Sequence, residues 1–237
     1  KILDLAASRG IKTLDTASGY GESEEVIGRC GLDSWNCISK LSTSSSSISR
    51  KDVLDSIHSS LLKLGKKKLD GLLVHNSELL LGSARNTVIE ALSYCQQKGL
   101  IDRIGVSIYD PSELDQIFDL FKPDIIQVPY NAFDQRIEKS GWLNKLKDNS
   151  VEVHARSIFL QGLLLMDPSN RPKYFSKWNP IFDRWEKYVE NSGLTNITCA
   201  LRHTLDNPRI DRVLIGVQSE KELNDILVSL DLDIDIT

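Results

Sequence analysis

The stretch SRKDVLDSIHSSLLKLGKKKLDGLLVH, residues 49–75, contains one complete helix-to-strand step. Ser49 and Asp52 have the spacing of a helix-capping box. Apolar residues follow at helical spacing, namely Val53, Ile57, Leu61 and Leu64. Gly71–His75 is short and apolar up to its last residue, which is typical of a strand buried on both faces. The stretch therefore predicts an amphipathic helix that leads into a strand of a parallel sheet.

The same alternation of short apolar runs and amphipathic helical patterns continues along the whole chain. The predicted strands are Thr13–Thr16, Cys37–Lys40, Gly71–His75, Ile104–Ser107, Ile125–Val128, Glu152–Arg156 and Val213–Gly216. Repeated strand-helix units with short connections predict a parallel α/β sheet with right-handed crossovers. Periodicity alone leaves open both a closed barrel and a doubly wound sheet. No Gly-x-Gly-x-x-Gly motif follows an early strand, which disfavours a Rossmann fold.

Both ends of the chain and one serine-rich loop each lead to a further prediction. The chain opens inside a helical pattern at Ile2, so we expect that a first strand is missing from its N-terminus. A barrel without that strand would have two unpaired edges. We expect the serine-rich segment 42–49 to be one flexible loop, and the short acidic tail 231–237 to close little of a substrate pocket.

Composition and charge restrict the class of protein. At 237 residues the chain is expected to form one domain over residues 1–237, with a single large core. The net charge is −4 and no block of Lys or Arg occurs, which argues against a nucleic-acid or membrane partner. No apolar run approaches the roughly 18 residues of a membrane span. Four cysteines without C-x-x-C spacing predict reduced thiols in a cytoplasmic protein.

Four chemically active side chains lie at the carboxyl ends of consecutive predicted strands. Asp15 and Tyr20 follow the first strand, Lys40 ends the second and His75 ends the third. In parallel barrels this rim is where active sites lie. Each residue has an ordinary alternative, such as a turn cap for Asp15, a loop aromatic for Tyr20 or a core histidine for His75. Four such coincidences on three successive strands favour a catalytic set.

The chemistry of carbonyl reduction fits this set, because a proton must reach the oxygen while hydride reaches the carbon. A tyrosine with its ordinary pKa of about 10 is a poor proton donor near neutral pH. We expect the Lys40 ammonium to lower the pKa of Tyr20 and Asp15 to hold Lys40 in place. His75 would donate a hydrogen bond to the substrate oxygen and orient it. A nicotinamide cofactor would supply the hydride.

These motifs resemble the aldo-keto reductase family along essentially the whole chain. The resemblance rests first on residues 14–21 (LDTASGYG), with Ser23-Glu24 and Ile27-Gly28, and then on 38–40 and 72–76. Further matching stretches are 104–107, 127–131, 157–164 and 214–217. The resemblance implies a (β/α)8 TIM barrel, here without its first strand, that reduces an aldehyde or ketone with NADPH, NADH being possible. It implies that Asp15, Tyr20, Lys40 and His75 are the catalytic tetrad.

The resemblance also assigns cofactor-binding positions. Ser107 and Gln127 are expected to hold the nicotinamide carboxamide, although Ile108 replaces the family's usual Asn. Arg156 occupies the position where many relatives stack a Tyr on the nicotinamide ring. The expected phosphate and adenosine positions are Ser157, Gln161, Gly162, Leu163, Gly216, Gln218, Ser219, Glu222 and Asp225. Since relatives selective for NADPH often have Lys and Arg at the positions of Gly216 and Glu222, selectivity against NADH is expected to be weak.

Substrate, partners and alternatives follow from the remaining residues. A small-molecule carbonyl substrate is expected, with the loop 166–180 able to fold over cofactor or substrate. Trp142, Trp178 and Trp185 are expected to pack in the core or between helices. No metal site is expected, and the protein should be a monomer or weak homo-oligomer. Two alternatives remain open, a regulatory NAD(P)H-binding barrel with little turnover and a Schiff-base barrel enzyme using Lys40.

Overall fold

The computed structural model of the chain describes residues 1–43 and 48–230. The middle of the serine-rich loop and the acidic tail lie outside these residues. Within them the sheet has seven strands: β1 Thr13–Asp15, β2 Asn36–Leu41, β3 Gly71–Val74, β4 Ile104–Ser107, β5 Ile125–Pro129, β6 Glu152–Arg156 and β7 Arg212–Val213. Strand order follows chain order, and the pairs from β1 to β5 are parallel. All seven predicted strands are confirmed, although β7 ends three residues early.

Helices separate the strands. They are α1 Ile2–Ser8, α2 Ser23–Gly28, α3 Arg50–Leu64, α4 Glu78–Leu81, α5 Arg85–Gln97, α6 Glu113–Leu120, α7 Arg136–Lys139, α8 Trp142–Asp148, α9 Asn179–Ser192, α10 Asn196–Leu205 and α11 Glu220–Leu230. The capping box is confirmed, because the Ser49 hydroxyl accepts from the Asp52 N–H while the Asp52 carboxylate accepts from the Ser49 N–H. Gly65 then ends α3 with a φ of 63°, a left-handed conformation that glycine adopts most readily.

The chain divides into two compact units. The first, called the sheet unit, consists of residues 11–128 and 136–154. Its interior contains a cluster of Ile38, Leu73 and Ile125 from three strands. Gly105 on β4 makes room for this cluster, because a Cβ there would collide with the Leu73 side chain and lie 2.6 Å from the carbonyl oxygen of Ile125. The cluster is therefore formed by the strands that carry Lys40 and Gln127 and that lead into His75.

The second unit consists of residues 1–10, 129–135 and 155–237. Its core is formed by Leu164, Trp185, Cys199 and Ala200. The indole N–H of Trp185 donates to the carbonyl oxygen of Leu164 at 3.1 Å, so this buried polar group is satisfied. The structure thus places Trp185 in a core, as expected from the sequence. Within this unit α11 packs against both α1 and α10.

Candidate active site

A buried ion pair lies at the centre of the candidate site in the sheet unit. Lys40 is only 2% exposed, and its ammonium donates to one carboxylate oxygen of Asp15. The same ammonium donates to the carbonyl oxygen of Thr16 at 3.2 Å. Burying a lysine charge is costly unless it is paired and hydrogen-bonded. Both conditions are met here, so Lys40 is held as a fixed cation at the end of β2.

Gln127 on β5 completes the environment of Asp15. Its side-chain amide donates to the second carboxylate oxygen at 2.9 Å, and the residue is 1% exposed. One carboxylate oxygen of Asp15 therefore accepts from the Lys40 ammonium and the other accepts from the Gln127 amide. The sequence associated Gln127 with the cofactor alone, and its contact with Asp15 joins residues 112 positions apart. No local pattern carries that information.

Tyr20 lies in the turn that follows β1 and is 48% exposed. The Lys40 ammonium lies 5.3 Å from the centre of its ring. The Tyr20 and His75 rings meet edge to face, with centroids 5.4 Å apart. Two glycines allow the turn, because Gly21 has a φ of 57° and a Cβ on Gly19 would lie 2.8 Å from Ser42. A phenol thus lies beside a buried cation while remaining open to solvent.

His75 follows β3 directly and is held from two sides. Its backbone N–H donates to the carbonyl oxygen of Leu41 at 3.1 Å. Its ring nitrogen Nδ1 lies 2.6 Å from the hydroxyl oxygen of Ser42. Sequence reasoning missed Ser42, although it lies two residues beyond Lys40 and so emerges at the same end of the sheet. The structure therefore brings Asp15, Tyr20, Lys40 and His75 together, with Ser42 and Gln127 as additional neighbours.

The arrangement favours proton transfer at Tyr20 over covalent chemistry at Lys40. A cation close to a phenol stabilises the phenolate that remains after the proton has left. A lysine nucleophile must instead lose its proton, which the ion pair with Asp15 opposes. The geometry thus disfavours the Schiff-base alternative.

Ser107 and Gln127 lie next to each other on β4 and β5, where the strand register pairs them directly. Both are nearly fully buried, at 3% and 1% exposed. Ile108 follows as a fully buried apolar residue, and its N–H donates to the carbonyl oxygen of Gln127. The two residues expected at the nicotinamide are therefore buried polar neighbours on adjacent strands. Ile108 has no side-chain amide and contributes a hydrogen bond from its backbone N–H instead.

The expected phosphate-binding segment in the second unit has unusual backbone geometry. Ser157, Leu160 and Gln161 have φ angles of 59°, 48° and 56°, and Gly162 has a φ of 85°. Left-handed conformations at residues other than glycine cost energy and often occur at functional sites. The Asn131 side chain donates to the carbonyl oxygen of Ser157 at 3.0 Å and anchors the start of the segment. Arg156 precedes it and donates to the Ser157 hydroxyl at 3.5 Å.

The expected adenosine segment follows β7, which neighbours β6 in the sheet. The Glu222 carboxylate accepts from the backbone N–H of Gln218 at 2.8 Å, and the Ser219 hydroxyl accepts from the N–H of Glu222. Lys221 is paired with Asp225 at 2.9 Å. Gly216 is exposed and has open space around it. The start of α11 therefore carries the Glu222 carboxylate, whereas a site for a phosphate group would need positively charged side chains there.

Across residues 1–43 and 48–230, no group of three or more His, Cys, Asp or Glu side chains is arranged to hold a metal ion. Among the same residues no helix is both long and apolar enough to cross a membrane.

Comparisons with known proteins identify the family. The sequence pattern of the aldo/keto reductase family matches residues 1–237. The chain is similar to the L-glyceraldehyde 3-phosphate reductase of Escherichia coli K12, with 26% identity over 97% of this chain and 78% of that protein. It is also similar to the aldo-keto reductase YhdN of Bacillus subtilis, with 23% identity over 92% of this chain and 74% of that protein.

Solved structures extend the likeness to the fold. The aldo-keto reductase AKR11C1 from Bacillus halodurans, in its holo form, matches 97% of this chain and 80% of its own with a TM-score of 0.80 at 20% identity. The glycerol dehydrogenase AKR11B4 from Gluconobacter oxydans matches 100% of this chain and 87% of its own with a TM-score of 0.71 at 22% identity. The expected (β/α)8 fold class is confirmed.

Proposed function

Because the chain belongs to the aldo/keto reductase family, whose members are NAD(P)H-dependent oxidoreductases acting on carbonyls, we propose that Tyr20 is its proton donor. The observation that carries this proposal is the buried Lys40–Asp15 pair beside the half-exposed Tyr20 phenol. A bound nicotinamide cofactor would supply the hydride. Tyr20 Oη donates its proton to the carbonyl oxygen, and the Lys40 ammonium stabilises the phenolate left behind. Solvent then returns the proton, since Tyr20 is open to water.

His75 has the orienting role in this scheme. Its ring lies edge to face with Tyr20, so a carbonyl oxygen that reaches the phenol also lies beside the imidazole. A hydrogen bond from His75 fixes the direction of the oxygen lone pairs. Asp15 acts through Lys40 by holding the ammonium next to the phenol. Positioning and acid-base catalysis of this kind typically supply about 10²–10⁴-fold in rate.

The residues present fit a nicotinamide cofactor. The buried polar pair Ser107 and Gln127 offers hydroxyl and amide groups to the carboxamide of the nicotinamide. The strained segment 157–162 offers backbone N–H groups of the kind that bind anions, which suits a pyrophosphate. We assign Arg156 to the nicotinamide ring, since a guanidinium plane can stack on it. Gly216, Gln218, Ser219, Glu222 and Asp225 are assigned to the adenosine end.

We expect NADPH to bind, with weak selectivity against NADH. The Glu222 carboxylate already caps the start of α11, and Lys221 is paired with Asp225. The 2′-phosphate of NADPH would face a carboxylate here instead of an arginine guanidinium. The ribose 2′-hydroxyl of NADH can donate a hydrogen bond to that carboxylate. Titration with each nucleotide, followed by protein fluorescence, measures the ratio of the two dissociation constants. A ratio within about tenfold supports this assignment, and NADPH binding far more tightly would contradict it.

The substrate class is a small aldehyde or ketone. The relative from E. coli is named for a phosphorylated three-carbon aldehyde and the one from G. oxydans for glycerol. A panel of short aldehydes, ketones and phosphorylated aldehydes, assayed by the loss of reduced nicotinamide absorbance, tests the proposal. We expect turnover of at least one class. Tight nucleotide binding without turnover across the panel would instead favour a regulatory barrel, for which the structure and the relatives give no support.

A cytoplasmic location is part of the proposal. All four cysteines are free thiols, and Cys37, Cys95 and Cys199 are buried. Reduced thiols are the usual state in the cytoplasm, where disulfides rarely persist. Expression of a fluorescent fusion, followed by fractionation, tests the location.

A further inference from the structure

The start of α2 contacts the two strands that carry the buried ion pair of the site. Successive side chains of a strand point to opposite faces of a sheet. Ser39 on β2 therefore points away from the face on which its neighbour Lys40 forms the ion pair. The Ser39 hydroxyl donates to Glu24 of α2 at 2.6 Å, and the hydroxyl oxygens of Thr16 and Ser23 lie 3.0 Å apart. Two hydrogen bonds thus attach α2 to the chain on either side of the ion pair.

The contact between Glu24 and Ser39 is buried, since both residues are shielded from solvent. Glu24 Oε1 accepts the hydrogen bond from Ser39, whereas Oε2 has no hydrogen-bond partner within residues 1–43 and 48–230. A buried polar oxygen without a partner costs free energy. Glu24 therefore contributes little net stability. What its carboxyl provides is a directional contact with the residue that precedes Lys40.

Ser23 connects the turn that carries Tyr20 to the group that holds Lys40. The Ser23 backbone N–H donates to the carbonyl oxygen of Tyr20 at 3.1 Å, and its hydroxyl bonds to the hydroxyl of Thr16. The Thr16 N–H donates to the carbonyl oxygen of Ile38 at 2.9 Å, and the Thr16 carbonyl oxygen accepts from the Lys40 ammonium at 3.2 Å. A shift of Ser23 would therefore move both the phenol and a hydrogen-bond acceptor of the ammonium.

These contacts fix the separation between the Lys40 ammonium and the Tyr20 ring. The ammonium lies 5.3 Å from the ring centre. The attraction between a cation and a phenolate weakens as the distance between them grows. A change in this separation therefore changes how readily Tyr20 gives up its proton. Glu24 acts on the Lys40 side of the pair, and Ser23 acts on both sides.

We propose that Ser23 and Glu24 are positioning residues, which hold the Lys40 ammonium beside the Tyr20 phenol by fixing the chain behind them. This proposal rests on the proposed function for the role of Tyr20 as proton donor. The contacts belong to the folded protein, so their effect on Tyr20 can be measured without substrate or cofactor.

The double variant Glu24→Met/Ser39→Ala separates positioning from stability. It replaces both partners of the buried hydrogen bond with apolar groups, a change that can be nearly neutral for folding. It also removes Oε2 of Glu24, which has no partner in the described part of the chain. The matched control is Glu25→Met, the same substitution one residue further along α2. The Glu25 carboxylate is exposed and pairs with Arg29 at 3.1 Å, away from the strands.

The decisive measurement is a spectrophotometric pH titration of the tyrosine phenols in the full chain without cofactor. The protein has six tyrosines, and subtracting the titration of Tyr20→Phe in the same background isolates Tyr20. We expect Tyr20 to lose its proton at a pH about half a unit higher in the double variant than in the wild type, because the ammonium is held less closely. Glu25→Met should titrate as the wild type does. An unchanged Tyr20 titration in the double variant would overturn the proposal for Glu24.

Ser23→Ala tests the second contact with a smaller change. It removes the hydroxyl that bonds to Thr16 and leaves the backbone hydrogen bond to Tyr20 in place. We expect the Tyr20 titration to move in the same direction as in the double variant. A titration identical to that of the wild type would contradict the role of Ser23, and this test does not depend on how the double variant folds.

Turnover gives an independent readout. We expect the double variant to lose about fivefold to tenfold in kcat, the effect of one lost hydrogen bond, with an unchanged KM for NADPH. A merely structural contact would make kcat follow the free energy of unfolding measured in urea. A double variant that is as stable as the wild type and equally active would therefore contradict positioning.

The outcomes separate this proposal from the proposed function. If Tyr20→Phe kept full turnover while the Tyr20 titration moved in the double variant, the positioning role would be supported and the proton donor would be wrong. If Tyr20→Phe lost turnover while the titration stayed the same in both Ser23→Ala and the double variant, the proton donor would be supported and the positioning role would be wrong.

Discussion

At the scale of single residues, the sequence predicted the types of side chain in the site better than their contacts. Asp15, Tyr20, Lys40 and His75 were predictable because the carboxyl ends of parallel strands share one edge of a sheet. The hydrogen bond from Gln127 to Asp15 was not, because it depends on how strands far apart in sequence curve toward each other. The contact of Ser42 with His75 likewise depends on the path of the loop after β2.

The buried ion pair leads to a stability prediction for Asp15→Asn. This variant leaves the Lys40 ammonium buried without a countercharge, so the free energy of unfolding should fall by about 3 kcal/mol. Urea unfolding followed by circular dichroism measures the change. The double variant Asp15→Asn/Lys40→Met should lose less stability than Asp15→Asn alone, because it removes the buried ammonium as well. Equal or greater loss in the double variant would show that the pair is not the source of the effect.

At the scale of helices and strands, patterns within a few residues predicted the structure correctly, whereas the end of a strand did not follow from its own sequence. The Ser49–Asp52 capping box involves residues three apart, so its spacing was sufficient to place the start of α3. The predicted end of β7 at Gly216 was wrong, since the strand ends at Val213, and after it the Leu214 N–H donates to the carbonyl oxygen of Ala155 on β6. Strand ends are set by the neighbouring strand, which the local sequence does not contain.

The capping box should depend on pH. Hydrogen bonds from the Ser49 hydroxyl and N–H lower the pKa of the Asp52 carboxyl. Because its pKa is lower in the folded state, its contribution is present above the ordinary value of 3.8 and is lost as pH falls through the folded value. Asp52→Asn should therefore be less stable than the wild type at neutral pH, and the difference should shrink below a pH of about 4. Thermal unfolding across this range measures it, and a constant difference would contradict the assignment.

A close helix contact leads to a second prediction at this scale. Gly28 ends α2 where a Cβ would collide with the carbonyl oxygen of Lys63 on α3. The neighbouring atom is backbone and cannot turn away, so Gly28→Ala should lower the free energy of unfolding by about 3 kcal/mol. Gly216→Ala is the control for added volume, since a Cβ there meets open space. Similar urea midpoints for wild type and Gly28→Ala would contradict the prediction, because they would show that α2 and α3 can move apart to accommodate the methyl group at little cost.

At the scale of the whole molecule, the alternation of strands and helices was sufficient to predict a parallel α/β sheet, and the resemblance gave the barrel and the family. The single domain expected over residues 1–237 stays a prediction. A single unfolding transition seen by both fluorescence and circular dichroism would support it. Two separate transitions would contradict it.

Alkaline pH should destabilise the protein through its buried thiols. Burial raises the pKa of the Cys37 and Cys95 thiols above their ordinary value of 9.0. A pKa that is higher in the folded state gives stability that is present below the unfolded value and lost as pH rises through the folded value. The melting temperature should therefore fall above a pH of about 9. The variant Cys37→Ala/Cys95→Ala should show a shallower fall, and an identical fall would exclude the thiols as its cause.

The central claim is that Tyr20 donates the proton beside the Lys40 cation, and Tyr20→Phe tests it most directly. The matched control is Tyr188→Phe, since Tyr188 is 46% exposed and Tyr20 is 48% exposed. Both variants should bind NADPH as the wild type does in a fluorescence titration. Steady-state reduction of the best substrate from the carbonyl panel should fall by about 10²–10⁴-fold in Tyr20→Phe and remain unchanged in Tyr188→Phe. Full turnover by Tyr20→Phe would contradict the account.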